Sequence, residues 1–122
     1  MRALIVDDSS FIRDYLRKLL HQMGVVCEEA VDGNDALEVL AAAQKFDLML
    51  LDVNMPVMNG LECVKALREA RLGPEMKVMM VTTEADHSFI MMALDHGADE
   101  FLMKPFTPES LREKMALLGF AA

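Results

Sequence analysis

Chemically capable side chains follow four short apolar runs in this 122-residue chain. Asp7 and Asp8 follow Ala3-Leu4-Ile5-Val6, Asp52 closes Leu48-Met49-Leu50-Leu51, Thr82 and Thr83 close Val78-Met79-Met80-Val81, and Lys104 follows Glu100-Phe101-Leu102-Met103. Three carboxylates gathered in one crevice repel one another, and burial makes each ionised form more costly. Something positive has to join them. A hard divalent cation suits oxygen ligands, and Mg2+ suits best, because it takes one or two carboxylates, keeps several waters and leaves room for a phosphoryl oxygen. Lys104 adds a compact charge for the carboxylates or for an incoming phosphoryl group, and Thr82 adds a hydroxyl donor. A carboxylate such as Asp52 can act as a nucleophile and form an aspartyl phosphate. Phosphoryl transfer asks a protein mainly for positioning and charge neutralisation. Each residue alone has a plainer use: a turn cap for Asp52, a helix cap for Asp8, a strand Thr, a solubilising Lys. Their placement at the same ends of the strands argues for a shared one.

The elements that must position these groups are legible from periodicity. Runs such as Leu48 to Leu51 are too short for independent helices and suit strands buried on both faces of a parallel sheet. A second strand is read at Val25-Val26-Cys27 with Ala30. Between the strands, apolar residues recur at helical spacing. The first helix presents Phe11, Ile12, Tyr15, Leu16, Leu19, Leu20 and Met23, with Arg13, Asp14, Arg17 and Lys18 on its polar face, Ser9-Ser10 as caps and Gly24 as its stop. The second is capped by Asp32-Gly33-Asn34-Asp35 and carries Ala36, Leu37, Val39, Leu40 and Ala43. The third follows Pro56 and Gly60 through Leu61, Val64, Leu67 and Ala70 to a break at Gly73-Pro74. The fourth runs from Asp86 to Asp95 with Phe89, Ile90, Ala93 and Leu94 inward. The fifth opens at Thr107-Pro108-Glu109, with Leu111, Met115 and Leu118 as its apolar face. Five strands alternating with five helices predict an α/β fold, a doubly wound parallel sheet with helices on both faces. In such sheets the functional crevice lies outside the carboxyl ends of the strands, where Asp7, Asp8, Asp52, Thr82 and Lys104 fall.

Length allows one domain with a real core. Hydrophobic residues make up 53% of the chain, but no run approaches the length that spans a bilayer, and no signal-peptide pattern opens the sequence; a cytoplasmic protein is expected. A formal net charge of -8 opposes nucleic-acid binding, which relies on Lys and Arg. Cys27 and Cys63 lack metal-site or redox spacing and are expected to be buried thiols. The twelve Met residues read as flexible core filler. Phe89, Ile90, Met91 and Met92 are consecutive, so not all can face the core; one surface Met is the expectation, an exposed pair near Phe101 the alternative.

Together, Val6-Asp7-Asp8-Ser9, Leu51-Asp52-Val53-Asn54-Met55-Pro56, Val81-Thr82-Thr83 and Lys104-Pro105-Phe106 resemble the receiver domain of bacterial two-component response regulators. The resemblance covers the whole chain and is greatest to stand-alone receivers of the chemotaxis type. It implies a single receiver domain over residues 1–122 with no output domain, a flavodoxin-like three-layer sandwich and strand order 2-1-3-4-5. It further implies that Asp52 is the phosphoacceptor, served by a sensor histidine kinase or histidine phosphotransfer protein. Asp7, Asp8, Asp52 and the backbone carbonyl of Asn54 would hold Mg2+. Thr82 would swing toward the phosphoryl oxygens, Lys104 would pair with them, and the Lys104-Pro105 bond would be cis. Phe101 would rotate inward and report the event, on the face of the fourth helix, fifth strand and fifth helix, to a downstream protein target. Such a chain is a signalling protein, catalysing only its own phosphoryl transfer and dephosphorylation, and a monomer while unphosphorylated.

Two positions qualify the pattern. Thr83 stands where a smaller residue is common, which narrows access to the phosphoryl group, and Phe101 lacks the hydroxyl of the commoner Tyr. Asn54 and Glu84 occupy positions that tune dephosphorylation and predict a short-lived acyl phosphate, moderated by Thr83. The main rival is an interaction module with the same fold that works without phosphorylation, since fold alone does not fix function. A flavin-binding or nucleotide-binding protein has little support, because no glycine-rich phosphate loop follows the first strand.

Overall fold

Side chains along a strand point alternately to opposite faces, and both faces of the central strands here are apolar. The computed structural model describes residues 1–42, 45–55, 57–83 and 87–120, apart from the side chains of residues 87–89. Its elements are β1 (Arg2–Val6), α1 (Ser10–Gln22), β2 (Val26–Ala30), α2 (Gly33–Ala41), β3 (Leu48–Asp52), α3 (Gly60–Glu69), β4 (Lys77–Thr82), α4 (His87–Asp95), β5 (Glu100–Met103) and α5 (Pro108–Leu117). The five strands form one parallel sheet in the order β2-β1-β3-β4-β5, as the family resemblance implies. The chain turns one way from β1 to β2 and the other way from β2 to β3, so the topological switch lies between β1 and β3. Asp7 and Asp52 stand on either side of it.

Strand alternation divides the core in two. Leu4, Val6, Met49, Leu51, Val78 and Met80 face a cluster that includes Ala36, Leu40, Val64, Leu67 and Ala93 of α2, α3 and α4. Ala3, Ile5, Leu48, Leu50, Met79, Val81 and Leu102 face one that includes Leu16, Leu19, Leu20, Leu111 and Met115 of α1 and α5. The helix starts are fixed by side-chain caps. Ser9 accepts from the Ile12 amide at 3.3 Å and Asp32 from the Asp35 amide at 2.8 Å. Thr107 and Ser110 form a reciprocal pair at α5, and Asn59 and Glu62 form a capping box at α3.

Three expectations are corrected. Phe11 is 76% exposed rather than inward, because it flanks the stripe through Ile12, Leu16, Leu19 and Leu20 instead of lying on it. Cys63 is fully buried, but Cys27 is only half-buried, since β2 forms the edge of the sheet. Both Met91 and Met92 are exposed, not one of them. Several expectations, at Ala43, Pro56, Glu84, Asp86 and the Phe89 side chain, lie outside the described residues. Among the described residues no helix is long and apolar enough to cross a membrane.

Candidate functional site

The carboxyl edge of the sheet gathers the groups that the sequence singled out. Asp7 directly follows β1, and its amide donates to the Ala30 carbonyl at 3.2 Å, which ties it to the end of β2. Its Oδ1 accepts from the Ser9 amide at 2.8 Å and its Oδ2 from Lys104 Nζ at 3.1 Å. Asp52 ends β3, and its Oδ1 accepts from the Asn54 amide at 3.3 Å and from Lys104 Nζ at 3.4 Å. Asp7, Asp52 and Thr82 are buried, at 5% exposure or less, whereas Asp8 is exposed. Oxygens of Asp7, Asp8 and Asp52 all lie within 4.8 Å of one another.

The backbone dictates this convergence. Parallel pairing brings Val6 opposite Leu51 and Asp52 opposite Val81, so the residues that finish β1, β3 and β4 emerge at one level. Gly60, the first residue of α3, lets that helix start against the end of β3. A Cβ there would sit 2.7 Å from the Asp52 carbonyl oxygen and 2.9 Å from Val53 Cα. The Gly60 amide donates to the Val53 carbonyl at 2.9 Å, closing the loop that follows Asp52. On the other side the Lys104 amide donates to the Thr82 carbonyl at 2.6 Å, which carries the Lys104 stem back over the pocket. The Lys104–Pro105 peptide is cis.

Electrostatically the pocket is short of positive charge. Burial, and next the neighbouring Asp7 carboxylate, push the Asp52 carboxyl above its ordinary range, with Lys104 and the Asn54 amide pulling the other way. One ammonium therefore serves two buried carboxylates and stands apart from the third. An all-oxygen donor set of this spacing matches the preference of a hard divalent cation, and one exposed member leaves positions for water. The residues present thus fit Mg2+.

The remaining predicted residues border this centre. Thr82 is buried at the end of β4, and Thr83 just beyond it is exposed. Thr83 and Lys104 face an open groove of about 550 Å3 that is also lined by Phe11, Ile12, Tyr15, Pro105 and Phe106. Asn54 is exposed. Phe101, one strand away on β5, packs against the cluster under α3 and α4. Lys114 Nζ of α5 lies 4.2 Å from the Phe101 ring centroid and 3.1 Å from Glu100 Oε1. Arg13, expected only on the polar face of α1, also reaches this edge: its Nη1 donates to the Asp7 carbonyl at 2.7 Å and its Nε donates to Glu29 at 3.1 Å. A first-turn Arg on a polar helix face reads as solvated; only the pairing of β1 with β2, which brings Glu29 opposite Ile5, reveals its partner.

The family model of the response regulator receiver domain matches residues 3–116. The chain belongs to that family. This receiver is 38% identical over 118 residues to the chemotaxis protein CheY homolog of Campylobacter jejuni, covering 94% of this chain and 89% of that protein. It is 37% identical over 119 residues to chemotaxis protein CheY1 of Helicobacter pylori, covering 97% and 96%. The solved structure of chemotaxis protein CheY4 of Vibrio cholerae superposes on the receiver with a TM-score of 0.87 at 38% identity over 98% of each chain. It is a receiver of the CheY type, a signalling protein.

Proposed function

We propose that residues 1–122 work as one cytoplasmic, phosphorylation-driven receiver in which Asp52 is the phosphoacceptor. The observation that carries this reading is the single Lys104 ammonium bridging Asp7 and Asp52 beside Asp8. In the reaction an Asp52 Oδ attacks the phosphorus of a phosphohistidine. The new O–P bond forms as the P–N bond breaks, and the leaving imidazole takes up a proton. Asp7, Asp8, Asp52 and the Asn54 carbonyl would hold Mg2+, which when bound supplies positive charge to the phosphoryl oxygens. Lys104 exchanges a carboxylate partner for a phosphoryl oxygen, and the Thr82 hydroxyl turns toward the same group. Phe101, caught between the α3–α4 core and Lys114, is placed to read out that change on the face of α4, β5 and α5 for a downstream protein. The donor is a sensor histidine kinase or a histidine phosphotransfer protein, and the unphosphorylated chain is a monomer. Asn54 beside Asp52 favours a short-lived acyl phosphate, slowed by Thr83 at the entrance.

Incubation with a small phosphodonor and Mg2+, followed by intact-mass measurement, is expected to add one phosphoryl group per chain to wild type and none to Asp52→Asn. Wild type that stays unmodified would favour the phosphorylation-independent interaction module instead.

A further inference from the structure

Asp8 is the member of the acidic trio that bends out of the sheet, and its direction depends on the peptide joining it to Asp7. Four contacts hold Asp7: its amide donates to the Ala30 carbonyl, and it accepts from the Ser9 amide on Oδ1, from Lys104 on Oδ2 and from Arg13 on the main-chain carbonyl. The last of these fixes the plane of the Asp7–Asp8 peptide. At 2.7 Å it is a short, charge-assisted bond. The Arg13 side chain is only 14% exposed, and its other nitrogen is anchored by Glu29 at 3.1 Å. Arg13 lies in the first turn of α1, so one side chain ties the start of that helix to the end of β1 and to β2.

We infer that Arg13 is a positioning residue for the cation pocket: by clamping the Asp7–Asp8 peptide it sets the direction in which Asp8 presents its carboxylate. The inference rests on the Mg2+ reading above. Glu29, which Arg17 also reaches at 3.4 Å, offsets part of the guanidinium charge, so a positive group can stand close to a cation site at reduced cost. The chemistry also separates geometry from charge. Removing a cation beside a cation site should, on Coulomb grounds alone, tighten Mg2+ binding; losing the clamp should weaken it, and outer partners of metal ligands typically contribute about 10–100-fold in affinity.

The test is a calorimetric Mg2+ titration of the full chain. Arg13→Met is expected to bind Mg2+ about tenfold more weakly than wild type, with a changed carbon-13 shift at the Asp7 carbonyl in the metal-free protein, a signal that a simple loss of stability would not give. Affinity that is unchanged or tighter overturns the inference. Should Arg13→Met fail to fold, Arg13→Lys keeps the charge and loses the two-point hold on the Asp7 carbonyl and Glu29; a several-fold weaker affinity supports the clamp and an unchanged one overturns it. Wild type that binds no Mg2+ at all would instead refute the reading of the pocket itself.

Discussion

Asp52 is the residue at which folding opposes the proposed function. Burial and the Asp7 carboxylate raise its pKa above the ordinary 3.8, so the folded chain holds that proton more tightly than the unfolded chain does. Stability therefore falls as pH rises through the window between 3.8 and the raised value, and the full penalty applies above that window. In metal-free buffer, Asp52→Asn is expected to raise the urea midpoint at pH 7, with the advantage shrinking on acidification through that window. Equal midpoints for the two proteins at pH 7 would contradict this account. Asp52 was legible in the sequence because an acid closing an apolar run is conspicuous. Arg13 was not, because its partner is a main-chain carbonyl, which no side-chain pattern encodes.

At the scale of elements, the β3–α3 junction carries the tightest constraint on the site. The positions a Gly60 Cβ would need are occupied by main-chain atoms of Asp52 and Val53, which cannot swing aside as a flexible side chain could. Gly60→Ala is expected to destabilise the fold by about 1–3 kcal/mol and to slow phosphorylation by displacing Asp52. A variant with the wild-type unfolding midpoint and rate would show that the helix start can slide. The elements themselves were readable because apolar period and capping chemistry agree along most of the chain. Ser9, Asp32 and Thr107 cap where their residue types predict. The misreadings occur where periodicity is blind to tertiary position: Phe11 flanks its stripe by part of a turn, and Cys27 lies in an edge strand whose exposure depends on which strand has no outer neighbour. Asn59 and Glu62 form a capping box at α3, a signal overshadowed in the sequence by the stronger turn residues Pro56 and Gly60.

Across the whole molecule, parallel pairing brings the ends of four strands, β1, β3, β4 and β5, to one acidic edge. A fold with a net charge of -8 and a crowded carboxylate pocket stands to gain from a divalent cation beyond any role in chemistry. Mg2+ at about a hundred times its dissociation constant is expected to stabilise the folded chain by about 2.7 kcal/mol, read as a raised unfolding temperature. The gain should vanish on chelation and be largely absent in Asp8→Asn. A midpoint indifferent to Mg2+ would contradict it. The strand order was predictable from family resemblance rather than from periodicity, because register and neighbour choice are decided by helices packing on both faces, through contacts distant in sequence.

The groove beside Lys104 has a consequence for spectroscopy. Tyr15 stacks on Phe106 with ring centroids 5.6 Å apart, and the chain contains one Tyr and no Trp. Tyrosine emission from this protein therefore arises at a single address, Tyr15, whose stacking partner Phe106 lies two residues along the chain from Lys104 by way of Pro105. On the proposed exchange of Lys104 from a carboxylate to a phosphoryl oxygen, a change in Tyr15 emission is the expected readout, because Lys104, Phe106 and Tyr15 line one groove. The chain thus carries one tyrosine fluorophore, free of tryptophan background, in the groove beside its acidic pocket.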